Sequence, residues 1–346
     1  MRGPLPISVV VPAYDAQTTL AAAIESVRAQ SAPPREIIVV DDGSRDGTAE
    51  VARTLGVTLL AQRNAGCGAA RNAGIRHATQ PWIALLDADD RWAPEKLAAQ
   101  WDALATTGDD LCATDFAFVH ADGTRSAGGA TANRGYRRLH GTEPAIDVAH
   151  FSRGAVAIAL PSGMFLLPST LLFRRNVVME NSEWFMERSE LVPTEHHYLP
   201  EDFEWSLRIL RWTDVTLVTR SLVEYAVGAA GLSANAGQMR YGDAKLGELV
   251  CLRPARYADG AAAEMRRLRP ARLREASLEF LRRLEFDSAS VVAREAFYDR
   301  RRPLNGLLWA FALTMDWPAG RTLARSARSL WRRSKAASAP ARPASR

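Results

Sequence analysis

Trp82-Ile83-Ala84-Leu85-Leu86-Asp87-Ala88-Asp89-Asp90 decides how this chain is read. Its first five residues are an unbroken apolar run, as expected of a strand buried on both faces of a parallel sheet. Open α/β sheets bind their ligands beyond the carboxyl ends of such strands, and this end carries Asp-x-Asp. Carboxylates two residues apart in an extended segment point to one side. They suit a hard divalent cation, Mg2+ or Mn2+, and a cation there suits a phosphorylated substrate. The competing reading is helix capping ahead of Pro94-Glu95-Lys96-Leu97, since so short a triplet also arises by chance.

The preceding residues decide between these. Ile7 to Val11 reads as a first strand, stopped by Pro12 and followed by Ala13-Tyr14-Asp15. Asp15 or Thr18 can cap the next helix, whose apolar face is Leu20, Ile24 and Val27. Glu36 to Val40 predicts a second strand ending in Asp41-Asp42-Gly43-Ser44, and Asp46-Gly47-Thr48 starts another helix. A third strand is expected at Val57 to Leu60. Gly66-Cys67-Gly68-Ala69-Ala70-Arg71-Asn72 then opens a helix reaching about His77. Three β–α units before the acidic strand argue for a parallel, doubly wound sheet.

The ordered set Val-Val-Val-Pro-Ala-Tyr, Val-Val-Asp-Asp-Gly-Ser, Asn-Ala-Gly-x-Gly-Ala-Ala-Arg-Asn-Ala-Gly and Leu-Leu-Asp-Ala-Asp-Asp resembles family 2 glycosyltransferases of the GT-A fold. The likeness is dense from Ile7 to Leu104 and sparser to Ser233. Pro168-Ser169-Thr170-Leu171-Leu172-Phe173-Arg174-Arg175 is similar to that family's acceptor-side strand. Glu201-Asp202-Phe203-Glu204-Trp205-Ser206-Leu207-Arg208 is similar to its Glu-Asp block at a helix start. The resemblance implies an α/β fold of the GT-A kind, a Rossmann-like, mostly parallel sheet flanked by helices. It places a catalytic domain at 1–232, with a nucleotide-sugar half to about 110 and an acceptor half beyond. A helical C-terminal extension at 233–335 and a disordered tail at 336–346 follow.

Transfer from a nucleotide-activated sugar requires that the nucleotide be held, the leaving diphosphate neutralised and the acceptor hydroxyl deprotonated. By resemblance, Asp42 accepts a hydrogen bond from a uracil-like ring NH, a strong discriminator. Otherwise Asp41 and Asp42 only begin a turn. Pro12, Ala13 and Tyr14 would flank the base, although Tyr14 equally fits half-buried packing. Arg71, beside helix N-terminal amides, suits a base carbonyl or a diphosphate oxygen, or is a solvated surface arginine. Gly66-x-Gly68 is not a dinucleotide fingerprint, because Arg71 stands at its third glycine position. These glycines read as loop hinges.

Asp87 would reach the ribose or the metal, and Asp89 would ligate Mn2+ or Mg2+, a Lewis acid on the departing diphosphate. Asp90 reads as a turn or supporting residue. Asp202, at a helix start near the acceptor, is the expected catalytic base, and the resemblance implies inversion at the anomeric carbon. Glu201 is the alternative, and helix-dipole stabilisation is the bland reading.

The chain departs from the family after that helix. Relatives often carry a basic residue or histidine following a tyrosine, where this chain reads Tyr225-Ala226. His196-His197 can supply at most one side chain instead, because neighbours in an extended chain point apart. There is no Gln-x-x-Arg-Trp block, which disfavours a processive polysaccharide synthase. Leu207-Arg208-Ile209-Leu210-Arg211-Trp212 lacks the glutamine. Specificity is expected between Phe116 and Glu195, where Gly128-Gly129, Gly135 and Gly141 suggest a flexible lid.

Composition bounds these readings. With 346 residues, 47% of them hydrophobic, the chain supports one large domain and an appendage. Cys67, Cys112 and Cys251 have no paired spacing, which argues for a reducing compartment and against a zinc site. The start runs directly into the first strand, so no signal peptide is expected, and no apolar stretch reaches membrane-spanning length; Leu304 to Met315 is too short. Beyond Ser233 the pattern turns helical, with Leu273, Ala276, Phe280 and Leu284 on one stripe.

From Arg300 onward eleven basic residues face one acid, while the whole chain carries +5. Arg321, Arg325, Arg328 and Arg332 share a helical face opposite Leu323, Leu330 and Trp331. That pattern fits either an anionic membrane surface or a docked helix with a solvated basic face. Nucleic acid is disfavoured, because aromatics do not interleave with the charge.

The expected partners are a nucleotide-sugar donor and a glycan or lipid-linked acceptor, at the cytoplasmic membrane face. Two competing readings stand beside this one. A nucleotidyltransferase of similar architecture would want a basic triphosphate loop that Ala13-Tyr14-Asp15-Ala16-Gln17 lacks. A catalytically inactive carbohydrate-binding or scaffold protein is the other.

Overall fold

The strands at Leu5–Ala13, Pro34–Asp41, Thr58–Ala61 and Trp82–Leu85 are each built on an apolar run, and each finds a parallel neighbour. The computed structural model describes residues 3–126, 128–141, 147–187, 200–227, 236–283, 285–300, 307, 308, 310 and 312. In order come β1 (Leu5–Ala13), α1 (Leu20–Arg28), β2 (Pro34–Asp41), α2 (Thr48–Thr54), β3 (Thr58–Ala61), α3 (Cys67–His77) and β4 (Trp82–Leu85). Then follow β5 (Arg91–Trp92), α4 (Lys96–Thr107), β6 (Leu111–His120), β7 (Arg125–Ser126), α5 (Arg134–His140), β8 (Val148–Phe151) and α6 (Arg153–Ala159). The rest is β9 (Leu172–Arg174), α7 (Arg175–Asn181), α8 (Glu201–Ile209), β10 (Val215–Val227), α9 (Ala236–Leu252), α10 (Ala261–Arg283) and α11 (Phe286–Arg300).

The strands form one sheet in the order β3-β2-β1-β4-β9-β6-β10-β5, with β7 beside β6 and β8 beside β10. β1 is parallel to β2 and β4, and β2 to β3. β9 lies antiparallel between β4 and β6, so β6 and its parallel partner β10 run in the direction of β1. The carboxyl ends of β1, β2 and β4 therefore share one edge, where open α/β sheets bind ligands. Ile7, Val9, Val10, Val11, Ile38, Val39, Val40, Ile83 and Leu85 are fully buried, as strands covered on both faces must be.

Several expectations are corrected. Pro12 does not stop β1, which continues to Ala13 and pairs Pro12 with Val40. Val10 O accepts from Leu86 N, beyond the end of β4. Pro12, two residues on, turns its donorless nitrogen to the same side, where β4 has ended, so no ladder bond is lost. Neither Asp15 nor Thr18 caps α1; the cap position is Thr19, without a side-chain bond. Asp15, at φ 46°, instead accepts from Arg45 N at 2.7 Å.

The Pro168–Arg175 block is only partly strand. Pro168–Thr170 is a 3-10 turn, Leu172–Arg174 is β9, and Arg175 begins α7. Two of the four glycines expected in a lid, Gly129 and Gly135, mark close packing. A Cβ on Gly129 would enter the Phe116 ring, and one on Gly135 would meet the Gly163 carbonyl. The Asp115 carboxylate accepts from Ala130 N at 2.7 Å and from the Thr131 hydroxyl at 2.5 Å, pinning this stretch to β6.

The chain divides into two compact units. The first joins 1–234 with 246–266, so that Leu246, Val250, Tyr257, Ala258, Ala261 and Met265 belong to its core. The second joins 235–245 with the chain from 267 onward. Its core gathers Tyr241, Ala244, Leu273, Ala276, Phe280, Ala289, Val292 and Ala296, and Lys245 and Arg269 both pair with Glu295. Leu284 and the basic face from Arg321 to Arg332 lie outside the described residues. Among the described residues, no helix is long and apolar enough to cross a membrane.

Candidate active site

Asp42 directly follows β2, and its N–H bonds the Ala13 carbonyl at 2.8 Å. That bond sets the ends of the first two strands side by side. Its buried carboxylate accepts from Gln62 Nε2, Ala65 N and Gly66 N, each at 2.8 Å. Gly66 presents its N–H from φ 97°, a conformation that favours glycine. A carboxylate has about four acceptor sites, so roughly one remains. Asp41 accepts from Ser44 N at 3.0 Å, as a turn-forming aspartate does. Pro12 and Ala13 are buried, whereas Tyr14 is 42% exposed with its hydroxyl accepting from Arg45 at 2.6 Å.

The surface reading of Arg71 is corrected: the residue is only 3% exposed. Its Nη1 donates to Glu201 Oε1 and its Nη2 to Asp87 Oδ1, both at 2.8 Å. The guanidinium also lies 5.3 Å from the Phe185 ring centroid, and its buried Nε has no partner among the described residues. Burial works against its charge, but the Cys67 thiol and the Asp87, Glu201 and Asp202 carboxyls hold its pKa well above the usual value. Asn72, next on α3, fixes the segment beneath. It donates to Phe185 O and accepts from Phe185 N, both at 2.9 Å, and Phe185 stacks on Trp205 of α8 at 4.5 Å. Gly68 is not a loop hinge; it lies in the first turn of α3, where a Cβ would strike the Met186 carbonyl.

Asp87 to Asp90 form a turn, closed by Asp90 N bonding Asp87 O at 3.1 Å, and not the extended segment expected. Asp87 faces Arg71, and Asp89 opens to solvent. The surrounding protein and the Asp87 carboxylate raise the Asp89 pKa, so a cation here would relieve crowded negative charge. Asp87 and Asp89 offer hard oxygens, which fit Mn2+ or Mg2+ when diphosphate oxygens and water complete the set. Asp90 is 1% exposed and accepts from the Ser169 hydroxyl at 2.5 Å and Ala226 N at 2.9 Å.

Glu201 and Asp202 open α8 behind Pro200. Acidic residues in a first turn complement the helix dipole. Glu201 is committed to Arg71, while Asp202 accepts from Phe203 N at 2.7 Å. Burial, then the Glu201 charge, push the Asp202 carboxyl up to about 7, against the opposing pull of Arg71.

Arg71, Asp87, Glu201 and Asp202 thus converge from three separate sequence blocks. His196-His197 lies outside the described residues. Ser169 and Phe185 also enter the site. Ser169 stood only within the block similar to an acceptor-side strand, with no role of its own, and Phe185 sits in a non-periodic stretch that offered no signal.

The family model of glycosyl transferase family 2 matches residues 8–158. Those residues belong to glycosyl transferase family 2. The match covers β1 to α6, including Asp42, Arg71, Asp87 and Asp89, but stops before α8. The chain is 38% identical over 121 residues to the succinoglycan biosynthesis protein ExoO of Rhizobium meliloti, covering 34% of this chain and 35% of that protein. It is 32% identical over 125 residues to the putative teichuronic acid biosynthesis glycosyltransferase TuaG of Bacillus subtilis, covering 34% of this chain and 49% of that one. The chain therefore spans about a third to a half of the length of these curated relatives.

Among solved structures, residues 1–349 of S. aureus TarS in complex with UDP-GlcNAc match at TM-score 0.56 and 16% identity, covering 94% of this chain and 92% of that one. The mannosyltransferase PcManGT from Pyrobaculum calidifontis, in complex with GDP-Man and Mn2+, matches at TM-score 0.53 and 18% identity, with 95% and 89% covered. At those identities the likeness bears on the fold alone, which is the GT-A glycosyltransferase fold.

Proposed function

We propose that this glycosyltransferase domain moves a sugar from a nucleoside-diphosphate sugar, a UDP-sugar by preference, to a hydroxyl of a glycan or lipid-linked acceptor, with inversion and with Mn2+ or Mg2+. The observation that carries the reading is the meeting of Arg71, Asp87 and the Glu201–Asp202 helix start at the carboxyl end of β4. Asp42, flanked by Pro12, Ala13 and Tyr14, receives the base. Asp89 would hold a divalent cation and Asp87 would reach that cation or the ribose; when bound, the ion would supply positive charge to the departing diphosphate. Arg71 adds fixed positive charge where negative charge develops. Asp202 takes the acceptor proton as the acceptor oxygen bonds the anomeric carbon and the bond from that carbon to the diphosphate oxygen breaks. A base with a pKa of about 7 is matched to neutral pH.

The resemblance to succinoglycan and teichuronic acid biosynthesis proteins supports a surface-glycan acceptor. The basic stretch from Arg300 supports placement at the anionic inner face of the cell membrane.

Calorimetric titration with UDP, GDP and dTDP, each with Mn2+ and then with EDTA, tests the reading. One nucleotide should bind in a metal-dependent way and so narrow the donor. A folded sample that binds none of them would overturn it and favour a scaffold role.

A further inference from the structure

The turn that carries Asp87 and Asp89 is held by residues from two distant parts of the chain. Ser169 Oγ accepts from Asp87 N at 2.9 Å and donates to Asp90 Oδ2 at 2.5 Å. Asp90 Oδ1 accepts from Ala226 N at 2.9 Å, at the end of β10. Ser169 is itself fixed, because its carbonyl accepts from Trp92 Nε1 at 2.9 Å. Asp90 and Ser169 are each 1% exposed, so neither can exchange these partners for bulk water.

We propose that Asp90 and Ser169 are positioning residues for the cation and diphosphate subsite. They clasp the Asp87–Asp90 turn in the one conformation that aims Asp87 at Arg71 and leaves Asp89 open to a metal. The inference rests on the reading of Asp87 and Asp89 as the metal and diphosphate site. It goes further by assigning the geometry of that site to groups that touch neither ligand. Without the Ser169 hydroxyl, Asp87 N loses its acceptor and Asp90 Oδ2 its donor, both in a buried setting. The turn then relaxes toward other ways of satisfying them, and the two carboxylates lose their mutual aim. The bond to Ala226 makes the clasp span the sheet from β4 to β10, so the metal turn and the end of β10 are set together.

Mn2+ and the nucleoside diphosphate that the unaltered protein binds are titrated into Ser169→Ala and Asp90→Asn by calorimetry, with and without EDTA. Melting temperatures of each variant are recorded alongside. Supporting residues around a metal site are worth roughly 10- to 100-fold in metal affinity. The expected result is a loss of that size in Mn2+-dependent binding, unchanged nucleotide binding in EDTA, and a double variant no weaker than the worse single one. Folded variants that bind metal and nucleotide as the unaltered protein does would overturn the clasp. So would a loss of equal size with and without metal, which marks general damage. If one variant does not fold, the other decides. Absence of metal-dependent binding in the unaltered protein is a separate failure, of the proposed function itself.

Discussion

Asp202 shares the start of α8 with Glu201, yet the two carboxylates keep different company. Glu201 spends its charge on Arg71 at 2.8 Å, while the Asp202 carboxylate accepts from the Phe203 backbone N–H and is pushed up to about 7. This division singles out Asp202 as the group free to accept a proton. Asp202→Asn should lower kcat by roughly 10²- to 10⁴-fold, the usual worth of a positioned base, and leave UDP affinity in Mn2+ unchanged. Equal loss in both measurements would assign Asp202 a binding role instead. The pH dependence follows from the same shift. Above about 7 Asp202 is ionised and competent; below it the carboxyl is protonated. The kcat/KM profile should therefore fall as pH drops through 7. The residual activity of Asp202→Asn should lack that limb. A wild-type profile flat down to pH 5 would sink the assignment.

At the scale of elements, α3 carries the site because it lies directly on β1. A Cβ at Gly74 would run into the Val10 side chain, so this glycine sets the distance between helix and sheet. Gly74→Ala should cost about 1–3 kcal/mol, the usual penalty of overpacking a filled core. It should appear as a lowered urea midpoint with an unchanged slope. A midpoint within experimental error of the unaltered protein would show that α3 gives way freely. This contact also marks where sequence reading ends. β1, β2 and β4 were legible because local apolar runs suffice to name a buried strand, and α3 because its start and end are marked in the chain. Pro12 misled, since whether a strand tolerates proline depends on which neighbour its nitrogen faces. The Asp87–Asp90 turn, β5 and the antiparallel place of β9 were not legible, because long-range partners fix them: Ser169 and Ala226 for the turn, β4 and β6 for β9, β10 for β5. The acidic residues could thus be named as a group, but the pairing of Arg71 with Glu201, 130 positions away, could not.

At the scale of the whole molecule, the expected boundary near 233 meets a chain that returns to its first unit. Leu246, Val250 and Met265 are fully buried there, and Tyr257 is 4% exposed. Burial of such side chains contributes roughly 1.5–3 kcal/mol each, about 6–12 kcal/mol together. That is comparable with the whole stability of a typical domain, about 5–15 kcal/mol. The same segment finishes α8. Ala258 N donates to the Leu207 carbonyl at 3.3 Å, one of the carbonyls that a helix end leaves without an internal partner. The Tyr257 hydroxyl donates to Glu204 Oε1 at 3.1 Å, and Glu204 in turn holds the buried Arg208. A chain ending at 232 would lose this packing and leave the helix that carries Asp202 without its C-terminal support. It should therefore show no cooperative thermal transition, whereas a chain ending at 266 should keep one and retain nucleotide binding. If the 232-residue piece melts cooperatively at the temperature of the longer one, residues 246–266 are an accessory and the catalytic unit ends with β10. If it does not, the first helices of the extension are part of the unit that positions Asp202.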